Sequence, residues 1–361
     1  MLEQPFYDPE RSYEENFAEG PFGDFADGVS VERTGEPEHD FLGAPLFLPF
    51  GIPAGPLINA RFVAAAFAKG FDVCTYKTVR TRSYPCHPHP NVLAVHLDGD
   101  LTPELAAGSL VADDSYREPL SITNSFGVPS KDPDFWQADI ARAIESAGKG
   151  QVLIGSFQGT KREGGSVEDF IEDYALAARL VAETGAPILE ANLSCPNEGT
   201  AELLCFDVER VRQICERIKA EIGDRPLIIK LAHFAEEEHL VELVKTVGGV
   251  VQGLAAINTI PARIVDERGR QALPGEGRAI SGVCGSSIKW AGLDMVHRLV
   301  GLREKLQLEF AVIGVGGVMS AKDYQQYGQA GADCVQSATG AMWNPYLAQE
   351  IAEYSSTEDN I

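Results

Sequence analysis

Residues 192–197 read Asn192-Leu193-Ser194-Cys195-Pro196-Asn197, a nucleophilic sulfur between two carboxamides. The string follows an apolar run, Ala186-Pro187-Ile188-Leu189-Glu190-Ala191, that reads as a short buried strand. Pro196 lacks an N–H and holds the residue before it extended, so the strand ends there. Each carboxamide both donates and accepts hydrogen bonds. Proton transfer by Cys195 on a planar ligand with alternating C=O and N–H groups is the chemistry that suits such a set. Taken singly, these residue types are ordinary: a buried Cys and turn-forming Asn. Only the six-residue string points further.

Other strand ends carry similar groups. Lys77 closes the segment Asp72-Val73-Cys74-Thr75-Tyr76-Lys77, and Lys230 closes Pro226-Leu227-Ile228-Ile229-Lys230. A Lys at the end of an apolar strand either snorkels to water or meets a negative partner. Asn124 and Asn258 each stand where an apolar segment gives way to a loop. Ile313-Gly314-Val315-Gly316-Gly317-Val318 runs from a strand towards a helix starting near Ser320, and Gln336-Ser337-Ala338-Thr339-Gly340 follows the last strand. Glycine lets backbone N–H groups approach an anion closely, and a helix N-terminus favours its charge, so both runs read as phosphate cradles.

These groups need a scaffold that brings strand ends together. Short apolar segments at 48–54, 73–77, 152–156, 187–192, 226–231, 253–258, 310–314 and 333–337 alternate with amphipathic ones at 59–69, 166–184, 207–221, 236–247, 287–305, 321–329 and 344–354. This βα rhythm predicts a parallel α/β sheet, and eight strands predict a (β/α)8 TIM barrel, whose sites lie at the strand C-termini. The clearest helix is 166–184, with Ser166 as cap, Glu168 and Asp169 in its first turn, and Phe170, Tyr174, Ala177, Ala178 and Val181 at helical spacing. Two long segments interrupt the rhythm: about 78–151, between strands two and three, and 259–286, counted as following strand seven. Residues 1–45 read as an irregular acidic arm with one short helix, packed through Phe6, Tyr7, Tyr13 and Phe17, and 46–361 as the catalytic barrel.

Composition narrows the function classes. A net charge of −23 over 361 residues opposes binding to nucleic acid or an anionic membrane. No apolar run has the length of a membrane span, and the acidic N-terminus has no signal-peptide pattern, so a cytoplasmic location is expected. The seven Cys are scattered and include no C-x-x-C pair, which predicts reduced thiols and no metal site.

From about residue 48 to 345 these features together resemble the dihydroorotate dehydrogenase family, in its class 1 form with Cys as the base. The resemblance implies FMN across the barrel mouth and oxidation of dihydroorotate to orotate in pyrimidine biosynthesis. Cys195 would take the C5 proton and the flavin N5 the C6 hydride. It further implies that Asn124, Asn192, Asn197 and Asn258 hold the pyrimidine and that Lys77 contacts both flavin and substrate. Lys230 would lie at the flavin N1/O2 edge. Ala54, Gly55 and Thr78 would touch the flavin, with Gly282, Val283, Gly316, Gly317, Ala338 and Thr339 around the ribityl phosphate. A homodimer is the family default.

One stretch departs from the family. Its loop after the first Lys usually carries an Arg in an N-P-x-P-R run, whereas this chain reads Cys86-His87-Pro88-His89-Pro90-Asn91. Either His87 or His89 substitutes, or the substrate is a neutral dihydropyrimidine such as dihydrouracil. Three further readings stay open at this point. The chain could be the pyrimidine-site subunit of a complex whose electron-transfer partner carries FAD and iron–sulfur clusters. It could also be a Schiff-base aldolase or a non-catalytic flavin module.

Overall fold

The computed structural model describes residues 2–194 and 203–358, without the side chains of residues 357 and 358. Eight parallel strands close into a barrel in chain order: Phe50–Ile52, Val73–Val79, Val152–Phe157, Ile188–Asn192, Leu227–Leu231, Gly253–Ala256, Ala311–Val315 and Cys334–Gln336. Helices cover its outside. The protein is a (β/α)8 barrel.

Strand parity sorts the side chains. Val73, Val152, Ile154, Ile188, Ile228, Ala255 and Ile313 form one apolar cluster inside the barrel. The hairpin His39–Phe41/Ala44–Leu46 adds Phe41 and Leu46 to that cluster and closes the lower end. The outward set, including Cys74, Leu153, Leu189, Ile229 and Leu254, packs in a second cluster with the helices.

A helix not expected from the sequence, Pro133–Glu145, makes the crossover from the second strand to the third. Its buried Trp136, Asp139, Ile140 and Ala143 follow helical spacing, and Pro133 supplies a preorganised first residue. The two long segments also build a second closed sheet. Its strands are Val92–Val95, Ser109–Asp113, Ser121–Asn124, Ile260–Val265 and Ile280–Gly285. The segment 259–286 therefore follows the sixth barrel strand, not the seventh as counted, because its own strands 260–265 and 280–285 lie outside the large barrel.

Within the N-terminal segment, Ser12 and Glu15 form a capping box that starts the helix Tyr13–Glu19. Buried Asn16 ties the segment together, donating to the carbonyls of Asp8, Arg11 and Ser12 and accepting from Asp8 N–H at 2.7 Å. Phe6, Tyr7 and Tyr13 are buried in the main core, and Phe17 packs against it half-buried.

Candidate active site

A cavity of about 1140 Å³, its open mouth included, lies between the C-terminal end of the large barrel and the small sheet. The large barrel lines it with Lys77, Thr78, Asn192, Lys230 and Asn258, and the small sheet with Asn124, Gly282 and Cys284. Ala54 and Gly55 come from the loop after the first strand, and Ala338 and Thr339 from the end of the last. Val283, Gly316 and Gly317 are not among the lining residues. The Val283 side chain is buried in the core, and Gly316 and Gly317 follow Val315, which does line the cavity. Cys195 and Asn197 lie outside the described residues.

The cavity floor is polar because parity brings every second strand residue inward. Lys230 pairs in register with Asn192, and Glu190 with Ser156. Ser156 Oγ donates to Glu190 Oε1 at 3.2 Å and lies 3.0 Å from Thr78 Oγ1, so hydroxyls link the cavity to a buried carboxyl. Burial pushes the Glu190 carboxyl up, opposed by Lys230, and pushes Lys230 down, opposed by Glu190. Lys230 Nζ is buried and makes no hydrogen bond among the described residues. An ammonium in that state is a strong site for a ligand oxygen or nitrogen.

Asn192 Nδ2 donates to Gln158 Oε1 at 3.0 Å, and Asn258 Nδ2 to Ser194 Oγ at 3.1 Å. Asn124 Nδ2 reaches Cys284 Sγ at 3.5 Å, and Thr339 Oγ1 reaches the same sulfur at 3.5 Å. Burial raises the Cys284 thiol, so it stays protonated and inert rather than acting as a base.

Beyond Asn124 the loop turns sharply. Gly127 and Val128 have φ of 75° and 51°, and a β-branched residue in the left-handed region is strained. Two buried guanidiniums hold it there. Arg80 Nε donates to Val128 O at 2.9 Å and its Nη2 to Gly127 O at 3.2 Å. Arg278 donates to Ser125 Oγ at 3.2 Å and Ser125 O at 2.9 Å. Among the described residues the amides of Phe126, Gly127 and Val128 meet no acceptor, and all three residues line the cavity. His87 is no substitute cation: burial, Arg278 and Arg80 all depress its pKa, so it is neutral at neutral pH. A Cβ on Gly127 would strike the His87 ring, whose Nδ1 lies 3.1 Å from Ser125 Oγ.

At the opposite side, the expected dipole site at the helix Ala321–Gln329 is already taken. Asp323 accepts from Met319 N–H and Ser320 Oγ at 3.0 and 2.8 Å and pairs with Lys289 at 2.6 Å. The amides of Gly316, Gly317 and Val318, and those of Thr339 and Gly340 where the short helix Thr339–Trp343 opens without a side-chain cap, have no acceptor among the described residues. These amides are free for an anion.

Sequence reasoning missed several groups here. Tyr7 and Tyr13 from the N-terminal segment line the cavity, and the buried Tyr7 hydroxyl has no partner among the described residues. Burial raises both phenols far above their usual range, so they stay neutral. Glu190 was readable: it stands two residues before Asn192 and so shares its face. Arg80 and Arg278 carried no local signal.

Known proteins similar to this chain share its family and its fold. The family model for dihydroorotate dehydrogenase matches residues 114–354. The chain is 34% identical over 361 residues to dihydroorotate dehydrogenase of Dictyostelium discoideum, covering 97% of each chain. It is 33% identical over 186 residues to the catalytic subunit of dihydroorotate dehydrogenase B (NAD(+)) of Thermodesulfovibrio yellowstonii, covering 51% of this chain and 58% of that one. The fold is similar to that of DHODH from Eimeria tenella in complex with ferulenol, with a TM-score of 0.71 at 19% identity over 92% of this chain and 87% of that one.

Proposed function

The chain belongs to the dihydroorotate dehydrogenase family, and from that premise we propose that it oxidises dihydroorotate to orotate with FMN, Cys195 removing the C5 proton. As a member of that family it is an oxidoreductase acting on CH–CH bonds. The observation that carries the substrate assignment is the charge at the Asn124 end of the cavity. In a chain of net charge −23, Lys77, Arg80 and Arg278 gather beside three amides that meet no acceptor among the described residues. That end fits a carboxylate and not the neutral edge of dihydrouracil. The Arg absent from residues 86–91 is thus replaced by Arg80 and Arg278, from other parts of the chain.

The cavity residues fit FMN. Lys230 Nζ offers a buried charge to the polar edge of the ring, the Thr339 and Gly340 amides suit a phosphate, and Gly282 gives close backbone approach. A side chain at Gly282 would collide with Thr259. When bound, FMN supplies the two-electron acceptor. Lys77 and Thr78 would touch its ring, with Ala54 and Gly55 against one face and Val283, Gly316, Gly317 and Ala338 behind the phosphate. Asn124, Asn192, Asn197 and Asn258 would orient the pyrimidine so that C5 faces Cys195. A thiol is a few per cent ionised at neutral pH, so the rate of flavin reduction rises with pH through the titration of Cys195.

No described helix is long and apolar enough to cross a membrane. A cytoplasmic homodimer, working alone or with an electron-transfer subunit, is the assembly we propose. The test is anaerobic: add dihydroorotate to the purified yellow protein and follow the visible flavin band. Rapid bleaching that slows by roughly 10²- to 10⁴-fold in Cys195→Ala is the expected result, the usual share of a positioned general base. A flavin that dihydroorotate leaves oxidised, or equal rates in the variant, would overturn the substrate or the base respectively.

A further inference from the structure

We propose that Arg278 is a positioning and specificity residue. It holds the loop 124–128 in its strained form and gives that end of the cavity the charge that selects an anionic dihydropyrimidine over a neutral one. The inference rests on the reading that the substrate carboxylate lies at this loop.

Arg278 sits in the segment joining the small-sheet strands Ile260–Val265 and Ile280–Gly285, and it is 2% exposed. A guanidinium has five N–H donors in a rigid planar fork. Here all five are used. Nε donates to Ser125 Oγ, Nη2 to Ser125 O and Pro90 O at 2.9 and 3.1 Å, and Nη1 to Pro88 O at 2.8 Å and to Pro274 O. Three stretches of chain far apart in sequence are thereby tied together. Four acceptors are backbone carbonyls and the fifth a hydroxyl. No carboxylate pairs with Arg278 among the described residues.

The side chain is therefore satisfied in hydrogen bonds but not in charge. A buried cation without a counter-ion is costly, and retaining one is reasonable where a bound anion completes the pair. Its position decides which anion. Arg278 binds the Ser125 carbonyl and Arg80 those of Gly127 and Val128, and neither guanidinium lines the cavity, whereas Phe126, Gly127 and Val128 do. Pinning the carbonyls behind the loop leaves its N–H side for the ligand. A Lys could not do this, since three donors on a flexible stem cannot hold five acceptors.

The test separates charge from geometry by comparing orotate with its neutral carboxamide analogue, which keeps the ring and one oxygen acceptor. Titration calorimetry on the oxidised holoenzyme gives Kd for each, and their ratio measures preference for charge. Arg278→Gln is expected to lower that ratio about 10- to 100-fold, the scale of one lost interaction with a charged group. Ser125→Asp, which sets a carboxylate against the Arg278 fork and leaves the fork in place, is expected to lower the ratio similarly. It serves as the test if the Gln variant does not fold. Arg278→Lys weakens both ligands but retains the ratio. An unchanged ratio in Arg278→Gln or Ser125→Asp, with both ligands weakened alike, would reduce Arg278 to a structural staple. A wild-type ratio near one would instead overturn the anionic substrate itself.

Discussion

The two ends of the large barrel are built from the same eight strands and differ in almost everything else. At the lower end the inward residues are Val73, Val152, Ile154, Ile188 and Ile228, sealed by Phe41 and Leu46 of the hairpin. Two residues further along the same strands the inward positions hold Thr75, Ser156, Glu190 and Lys230, and further still Lys77 and Asn192. The upper inward layer keeps Lys230 Nζ and Gln336 Oε1 buried without partners among the described residues, whereas the lower inward layer is apolar; the buried Asp72 carboxyl lies beside that layer, its Oδ1 likewise without a partner among the described residues. The difference teaches that folding energy and chemistry are divided along each strand and not between strands. Apolar layers below stabilise the closed barrel, and that surplus tolerates unsatisfied groups above, where a ligand satisfies them.

The sharpest way to break this division is a cavity in the lower layer. Ile154 is fully buried, and Ile154→Ala is expected to destabilise the chain by about 2–5 kcal/mol. Urea unfolding reads the loss, and the rate of flavin reduction per folded molecule should be unchanged. A rate that falls in step with stability would show that the two ends are mechanically one.

A smaller effect comes from Asp72, which sits at the lower end with its side chain fully buried. It accepts from Leu48 N–H at 2.7 Å and Arg33 at 3.2 Å, yet burial raises its pKa to about 6 from 3.8. Between those values the folded chain holds a proton that the unfolded chain has released. Stability from this group is therefore present below pH ~4 and lost as pH rises through ~6, by at most about 3 kcal/mol for a shift of about two units. Wild type minus Asp72→Asn should show that decline in unfolding free energy between pH 4 and 7. A flat difference would mean that the carboxylate is satisfied when charged.

How much of this was legible in the sequence follows the same division. The barrel strands were readable as short, largely apolar runs, and four of those runs end at Lys77, Asn192, Lys230 and Asn258, which line the cavity. The glycine runs near 316 and 339 were readable for their conformational freedom, and both present amides without acceptors among the described residues, whereas the helix that follows the first run is capped by its own Asp323. The small sheet was not legible, since strands such as Ser109–Asp113 and Ile260–Val265 are short and pair across a wide gap in the chain. Arg278 and Ser125 meet only in the folded chain, so no local pattern joins them. Tyr7 and Tyr13 were expected as packing groups and turn out to wall the cavity as well.

The smallest stability effect is expected where the chemistry is greatest. Replacing the upper pair together, Lys230→Met with Glu190→Gln, removes an ammonium that has no partner among the described residues and a carboxyl that burial already drives towards neutrality. The new Gln can still accept from Ser156, and Met fills the volume of the Lys stem. Exchanging buried titratable groups for neutral ones of similar size is often neutral or stabilising, so a gain of about 1 kcal/mol is expected. The sign is opposite to that of Ile154→Ala, which lies on the same inward face. Flavin affinity and the rate of flavin reduction should fall in the same protein, because the charge facing the cavity is gone. A loss of stability as large as that of Ile154→Ala would show instead that Glu190 and Lys230 hold the barrel closed, and the contrast between its two ends would fail.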